Sequence, residues 1–155
     1  MIEAREIDFH TLSAIFKLNV RADQKYLVAP NSVTIAQCHY EPAGWLRGLW
    51  SGDTPVGLIA MINPLIESPS FEEGDRLDAA YIWRLMIAEE HQAKGYGAEA
   101  IAIAVKQARA WGLPNIYLSV VPEEGSAIEF YEAQGFAKTG IMHDQEVEML
   151  RPLLD

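Results

Sequence analysis

From position 85 the chain runs Leu85-Met86-Ile87-Ala88-Glu89-Glu90-His91-Gln92-Ala93-Lys94-Gly95-Tyr96-Gly97-Ala98. Apolar residues suited to a strand lead into a short polar turn, then Gln-x-x-Gly-x-Gly, then a long helical pattern. Glycines at 95 and 97 let the backbone come close to a bound group, and their amides can be aimed at an anion. The helix start adds unpaired N–H donors and a favourable dipole. Such a turn suits phosphate oxygens, although a plain strand-to-helix connection can use the same residues. No Gly-Lys-Ser/Thr follows, so it is not a Walker loop, and the third glycine of a dinucleotide fingerprint is missing.

Downstream, Gly97–Trp111 is helical in pattern, with Glu99, Lys106 and Arg109 as a narrow polar stripe and with Gly112 and Pro114 to end it. Ile116–Val121 predicts a buried strand. Ser126 and Glu129 match a capping box ahead of a short helix that Gly135 closes. Ala137–Met142 and Glu146–Arg151 predict a final hairpin around His143-Asp144.

Upstream, Leu77–Ala88 is the strand that feeds the glycine turn. Trp45–Trp50 and Pro55–Asn63 predict a hairpin about Ser51-Gly52-Asp53, with a polar loop over Pro64–Gly74. A helix after Pro30 carries Val33, Ile35, Ala36 and Cys38 and stops at Pro42 and Gly44. Ile2–Ile7 predicts a short strand, and Asp8 a cap for a helix with Leu12, Ile15 and Phe16 at apolar positions. A strand–helix–strand–helix section within a hairpin-connected chain implies an α/β domain with a mixed sheet. No repeat, low-complexity tract or linker divides the sequence, so one domain over 1–155 is expected.

Half of the 155 residues are hydrophobic, enough for a sizeable core. The net charge of −10 disfavours nucleic acid and anionic membrane and favours a cationic partner. The single cysteine, Cys38, excludes an internal disulfide framework, and no Cys/His cluster has zinc spacing, so no metal is expected. Met1–His10 is charged, without the apolar run of a signal peptide, and no stretch reaches membrane-span length. A soluble, cytoplasmic protein is the expectation.

Leu85-x-Ile87 followed by Gln92-x-x-Gly95-x-Gly97, together with Ala127-Ile128-Glu129-Phe130-Tyr131-Glu132-Ala133-Gln134-Gly135-Phe136, resembles the two signatures of the GNAT superfamily of acetyl-CoA-dependent N-acetyltransferases. The segments Gln24–Ser32, Cys38-His39-Tyr40 and Ile116-Tyr117-Leu118-Ser119 are similar to its spermine/spermidine (diamine) branch. The resemblance implies a GNAT fold: a central mixed, twisted β-sheet splayed between strands 4 and 5 and flanked by about four α-helices. It also implies acetyl-CoA as co-substrate, a small-molecule amine as acceptor, and a homodimer. Leu85, Met86 and Ile87 would pair through their backbone with the pantetheine arm, and the backbone near Ile87 would polarise the thioester carbonyl. Amides from Ala93 through Lys94, Gly95, Tyr96 and Gly97 to Ala98 would hold the pyrophosphate, flanked by Gln92 and Lys94. Tyr131 matches the family tyrosine that protonates the departing thiolate; from the residues alone a packing tyrosine beside Ile128 and Phe130 is the favoured reading.

The sequence departs from the family pattern at two places. Glu124 stands where a cofactor-contacting Asn is common, which leaves Ser126 as a hydrogen-bond donor there. Trp83-Arg84 stands where the polyamine branch carries an acidic residue. An alkylammonium, with a pKa near ~10.4, must lose a proton before it attacks. Candidate groups for holding the amine or taking that proton are Glu41, Asp78, Glu89, Glu90, His39 and His91, with Trp45, Trp50, Trp83 and Tyr40 as aromatic walls. Of these, Glu41, Trp83 and Glu89 are the expected acceptor-binding residues. A polyamine is the leading acceptor. An amino sugar, an amino acid or a protein N-terminus is the alternative within the enzyme class, and a non-catalytic acyl-CoA sensor is the alternative outside it.

Overall fold

The computed structural model describes residues 1–123 and 127–153. Strand β1 (Glu3–Arg5) pairs antiparallel with β2 (Gly44–Ser51), and β2 with β3 (Thr54–Ile62) through the Ser51-Gly52-Asp53 turn. Strand β3 pairs antiparallel with β4 (Ala79–Ile87), and β4 pairs parallel with β5 (Asn115–Val120). The final hairpin, β6 (Ala137–His143) and β7 (Glu146–Pro152), then inserts its second strand beside β5. The result is one mixed seven-stranded sheet in the order β1-β2-β3-β4-β5-β7-β6.

Both faces of the sheet are covered. Helix α3 (Tyr96–Ala110) buries Ala100, Ile101, Ala104, Val105 and Ala108 against Ile59, Met61, Ile82, Ile116 and Met149. Three of those five helix residues are alanines, so the helix axis can lie close to the strands. The short helix α4 (Ile128–Ala133) packs on the same face. On the opposite face α1 (Leu12–Phe16) and α2 (Asn31–His39) cover Leu58 and Met86 with Ile15, Leu18 and Ile35. Among the described residues no helix is long and apolar enough to cross a membrane.

Several local expectations are corrected. Asp8 does not cap α1: its Oδ1 accepts from the His10 and Thr11 amides and closes a turn, while Thr11 takes the N-cap position. Phe16 and Val33 point outward, because α2 buries Asn31, Thr34 and Cys38, with the Asn31 amide donating to the Ile15 carbonyl at 2.9 Å. Glu99 is more than a solvated position, since it accepts from the Ile2 amide at 2.9 Å and so ties β1 to α3. Helix α4 begins at Ile128 with Ala127 at its N-cap and no side-chain cap. Glu124 and Ser126 lie outside the described residues. The helix ends as expected: Gly135 at φ +91° lets the Phe136 amide reach the Tyr131 carbonyl and its own amide reach that of Glu132, each at 3.0 Å.

Candidate active site

Strands β4 and β5 pair at only three positions, Ala79–Asn115, Ala80–Ile116 and Tyr81–Tyr117, and then part. The Tyr81 and Tyr117 rings meet at the fork, 4.8 Å between centroids. A β-bulge drives the divergence. Met61 lies opposite Ile82 and Ala60 opposite Arg84, so Trp83 is the extra residue on β4. Before it, Ala80 and Ile82 face the α3 core; after it, Leu85 and Ile87 do, and Met86 turns to the α1/α2 core.

Past the bulge, the inner edge of β4 has no strand partner. The Ala88 amide donates to Val56 on β3, so by alternation the Ile87 and Leu85 backbone groups point away from β3 into the gap. The Met86 carbonyl instead crowds Gly57 on β3, where an added Cβ would lie 2.3 Å from it. Leu85 and Ile87 thus offer backbone groups to the gap, and Met86 offers only its flank. A cavity of about 200 Å³ fills the gap, lined by Leu85, Ile87, Val120, Val121 and Tyr131 among others.

The turn after β4 is held open from behind. Gln92 lines the slot and is also tied to the protein: its Nε2 donates to the Ile87 carbonyl at 3.0 Å and to Gln24, and its Oε1 accepts from Arg21 at 2.9 Å. It brackets the 21–24 segment to the end of β4. Ala93 has φ +62° and Gly95 φ +83°, and no side chain caps the α3 amides. A non-glycine residue in the left-handed region is strained, and such strain is a recurrent mark of ligand-holding turns. The Tyr96, Gly97 and Ala98 amides open the helix without an intrahelical acceptor. The two glycines differ in role. An added Cβ at Gly95 meets nothing within 4 Å, so glycine serves the backbone angle there, whereas at Gly97 it would meet the Phe130 ring at 3.1 Å, so glycine serves packing. Lys94 is exposed on the outside of the turn.

Tyr131 stands on α4 across the gap, its ring edge-on to Phe130 and Phe136. Burial pushes its phenol up to about 12. Among the described residues its hydroxyl has no hydrogen-bond partner, and the side chain lines both the 200 Å³ slot and a neighbouring cavity of about 540 Å³.

That second cavity leads past Trp83 and Tyr81 into a third, of about 320 Å³, under the loop between β3 and β4. Glu41, Asp75, Asp144 and Glu146 line the third cavity, with Arg76 and His143. The Arg76 charge is already committed. Its Nη2 and Nε donate to Glu148 Oε1 at 2.6 and 2.9 Å, and Glu148 is 1% exposed. Thr139 and His143 complete the Glu148 shell at 2.9 and 2.7 Å. Burial alone would raise the Glu148 carboxyl, but hydrogen bonds from Arg76, His143 and Thr139 outweigh it and hold it below the usual range. Glu41 behaves likewise: burial raises it, and Ser68, Ser70 and the Ala43 amide together bring it below its ordinary value. The cavity is therefore acidic, and Arg76–Glu148 and Ser68–Glu41 pin its roof loop to the body of the domain.

Of the expected acceptor residues, Glu41 and Trp83 line this route. Glu89 is exposed and lines none of these cavities; its amide donates to the Asn19 carbonyl. Trp45 packs edge-on to Trp111, Trp50 joins the α1/α2 core, and Tyr40 is out in solvent. Neither His39, His91, Asp78 nor Glu90 lines these cavities. The sequence reading missed Glu146 and the Arg76–Glu148 pair. Their only signal was Glu146-Val147-Glu148-Met149, two carboxylates on one side of an alternating strand.

Residues 11–136 match the family model described as acetyltransferase (GNAT) family. A curated relative, N-acetyltransferase family 8 member 2 of Rattus norvegicus, is 31% identical over 90 residues, which is 58% of this chain. The chain spans 37% of that relative's length. Among solved structures, an acetyltransferase from Thermus thermophilus superposes with a TM-score of 0.75 at 18% identity, covering 98% of this chain and 97% of the other. An aminoglycoside acetyltransferase in complex with coenzyme A superposes at 0.77 and 16% identity, covering 98% and 95%. At these identities the two structures speak for the fold: a mixed sheet that splays between β4 and β5, with four α-helices.

Proposed function

This chain belongs to the acetyltransferase (GNAT) family, and we propose that it transfers an acetyl group from acetyl-CoA to a primary amine of a polycationic small molecule, a polyamine such as spermidine or spermine. The observation that carries the acceptor class is the acidic cavity, where Glu41, Asp75, Asp144 and Glu146 face a space whose one arginine is neutralised by Glu148. A molecule with several ammonium groups matches several carboxylates; a neutral acceptor would leave them uncompensated. The domain is read as a single unit over 1–155.

The residues present fit acetyl-CoA. The slot between β4 and β5 is narrow and mostly apolar, with the Leu85 backbone groups and the Ile87 amide available to an amide-bearing arm, the Ile87 carbonyl being taken by Gln92. The turn over Ala93, Lys94 and Gly95 and the amides of Tyr96, Gly97 and Ala98 suit a pyrophosphate. Acetyl-CoA supplies an activated thioester. The Ile87 backbone polarises its carbonyl, and Tyr131 gives its phenolic proton to the sulfur as the C–S bond breaks. A phenol held near 12 remains protonated throughout the neutral range and can perform that donation. The exposed outer edge of β6, with Ile141 and Met142 at the surface, supports a homodimer.

The test is CoA release from acetyl-CoA with a panel of spermidine, spermine, short diamines, amino sugars and peptides, with products identified by mass. Turnover fastest on polyamines is expected. Acetyl-CoA binding without turnover on any amine would refute the enzymatic reading, and turnover confined to peptides would refute the acceptor class.

A further inference from the structure

The slot, the middle cavity and the acidic cavity are all lined by one carboxylate, that of Glu146. We infer that Glu146, at the start of β7, is the proton acceptor for the attacking amine; this rests on the acetyl-transfer reading above. The attacking nitrogen must sit where the acceptor's cavity opens onto the slot, and a base has to reach that junction.

Among the described residues, the other carboxylates that line these cavities or contact their walls are engaged or misplaced. Glu41 is tied to Ser68 and the Ala43 amide. Asp75 accepts from the Glu72 amide at 2.8 Å, and Glu148 is sealed by Arg76, Thr139 and His143. Asp144 is exposed in the β6–β7 turn, at φ +54°. Among the described residues the half-buried Glu146 carboxylate accepts no hydrogen bond and joins no ion pair. Around it, β4 presents Tyr81 and Arg84, β5 Tyr117 and Ser119, α4 Tyr131, the β3–β4 loop Asp75 and Arg76, the 25–30 segment Lys25, and the hairpin turn His143 and Asp144. Glu146 is therefore the free base on the acceptor side of the fork, with Tyr131 as the acid across it.

The step balances. One ammonium proton passes to Glu146, and the nitrogen lone pair forms the C–N bond to the acetyl carbon. The C–S bond breaks with the Tyr131 proton going to sulfur. The second nitrogen proton restores Tyr131, and Glu146 releases its proton to solvent. The products are the acetamide, the CoA thiol and one proton.

The experiment uses the full chain with the panel amine that the wild type acetylates fastest. Glu146→Gln is expected to lower kcat by about 100-fold or more, in the range for losing a general base. The dissociation constant of acetyl-CoA, by calorimetry, is expected to change by less than about threefold, and that of the amine to rise no more than it does when Asp144 is exchanged for Asn, because Glu146 is one of several carboxylates facing the acceptor while the loss in kcat reports the proton transfer. Glu146→Asp, a base moved back by one methylene, is expected to recover part of kcat. An unchanged kcat, or a loss carried wholly by KM and amine affinity, overturns the assignment. Should Glu146→Gln fail to fold, Glu146→Asp decides alone: lower kcat at unchanged amine affinity sustains the assignment, and wild-type kcat overturns it. A wild type that binds acetyl-CoA and acetylates no amine overturns the functional reading, and the role of Glu146 with it. Wild-type turnover with an indifferent Glu146→Gln overturns only the role of Glu146.

Discussion

Replacing Arg76 by Ala removes two hydrogen bonds, at 2.6 and 2.9 Å, from a carboxylate that is 1% exposed. Glu148 would keep Thr139 and His143 at 2.9 and 2.7 Å but would lose its cationic partner. Leaving a buried charge unpaired costs about 3–5 kcal/mol. The Arg76 side chain is 25% exposed, so solvent screens part of the pair and the lower figure applies. About 3 kcal/mol in a chain of this size lowers Tm by roughly 6–12 °C. The pH dependence has a definite sign. The folded-state carboxyl of Glu148 is lowered, so its stabilisation is fully present above the unfolded value, about 4.3, and is lost as pH falls through the folded one. Without Arg76 the burial that already opposes ionisation is less well offset, so acid destabilisation begins at a higher pH. Thermal melts across the acid-to-neutral range check both points. Arg76→Leu with Glu148→Met should recover most of the loss, because no unpaired charge then remains. A single Arg76→Ala variant that loses less than about 1 kcal/mol at neutral pH would mean the pair is screened like a surface bridge and does not anchor the roof loop.

Tyr131→Phe should reduce kcat by about 100-fold or more while leaving the CoA dissociation constant unchanged, as measured by calorimetry. With the wild-type phenol pushed up to about 12, kcat should hold where an ordinary tyrosine, near ~10, would already be ionising; a fall there removes Tyr131 as the acid. Gly95→Ala should cost about 1–2 kcal/mol through backbone angle alone, and Gly95→Asn less, because Asn tolerates the left-handed region. No such advantage of Asn should appear at Gly97, where the obstacle is the Phe130 ring; melts of the four variants give the ordering. Gln92→Ala cuts the bonds to Arg21, Gln24 and the Ile87 carbonyl, and should raise hydrogen exchange in the 20–28 segment and weaken acetyl-CoA binding.

The parts of the fold legible in the sequence are those set by local pattern. The Ser51-Gly52-Asp53 hairpin, the run from β4 through the glycine turn into α3, and the Gly135 helix stop all follow from residues close together in the chain. The insertion of β7 between β5 and β6 is a long-range pairing, and nothing in Ala137–Pro152 distinguishes it from a simple meander. The Trp83 bulge had a signal that was not used. Apolar inward positions at Ala80 and Ile82 resume at Leu85 and Ile87, a switch of parity that only an extra residue can produce. Glu146 and Glu148 read as the wet side of a final strand because the loop that covers them comes from before β4, about seventy positions earlier for Arg76 and Glu148. At Gln92 the glycine motif suggests a ligand contact, and the structure adds a tie to the neighbouring 21–24 segment that no local pattern announces.

The sheet order also separates two properties of the site. The phosphate-suited turn and one wall of the slot are built by β4, the residues after it and α3, one continuous stretch of chain, while β5, the 20–28 segment, Tyr131 and Glu146 supply the slot's other walls. The acidic cavity is built by the β3–β4 loop, the β6–β7 hairpin and Glu41 around the fork residues, with Arg76–Glu148 joining loop to hairpin. Substitutions in the loop or hairpin can therefore change the charge and shape offered to an acceptor without disturbing the backbone of Leu85 and Ile87 or the amides of α3. Exchanging Asp75 and Asp144 for Asn should raise KM for a polycation and leave acetyl-CoA affinity intact, whereas a change at Trp83 should alter both, because the bulge sets the fork on which both regions depend. That asymmetry places Trp83, together with Glu146, at the junction of the two regions.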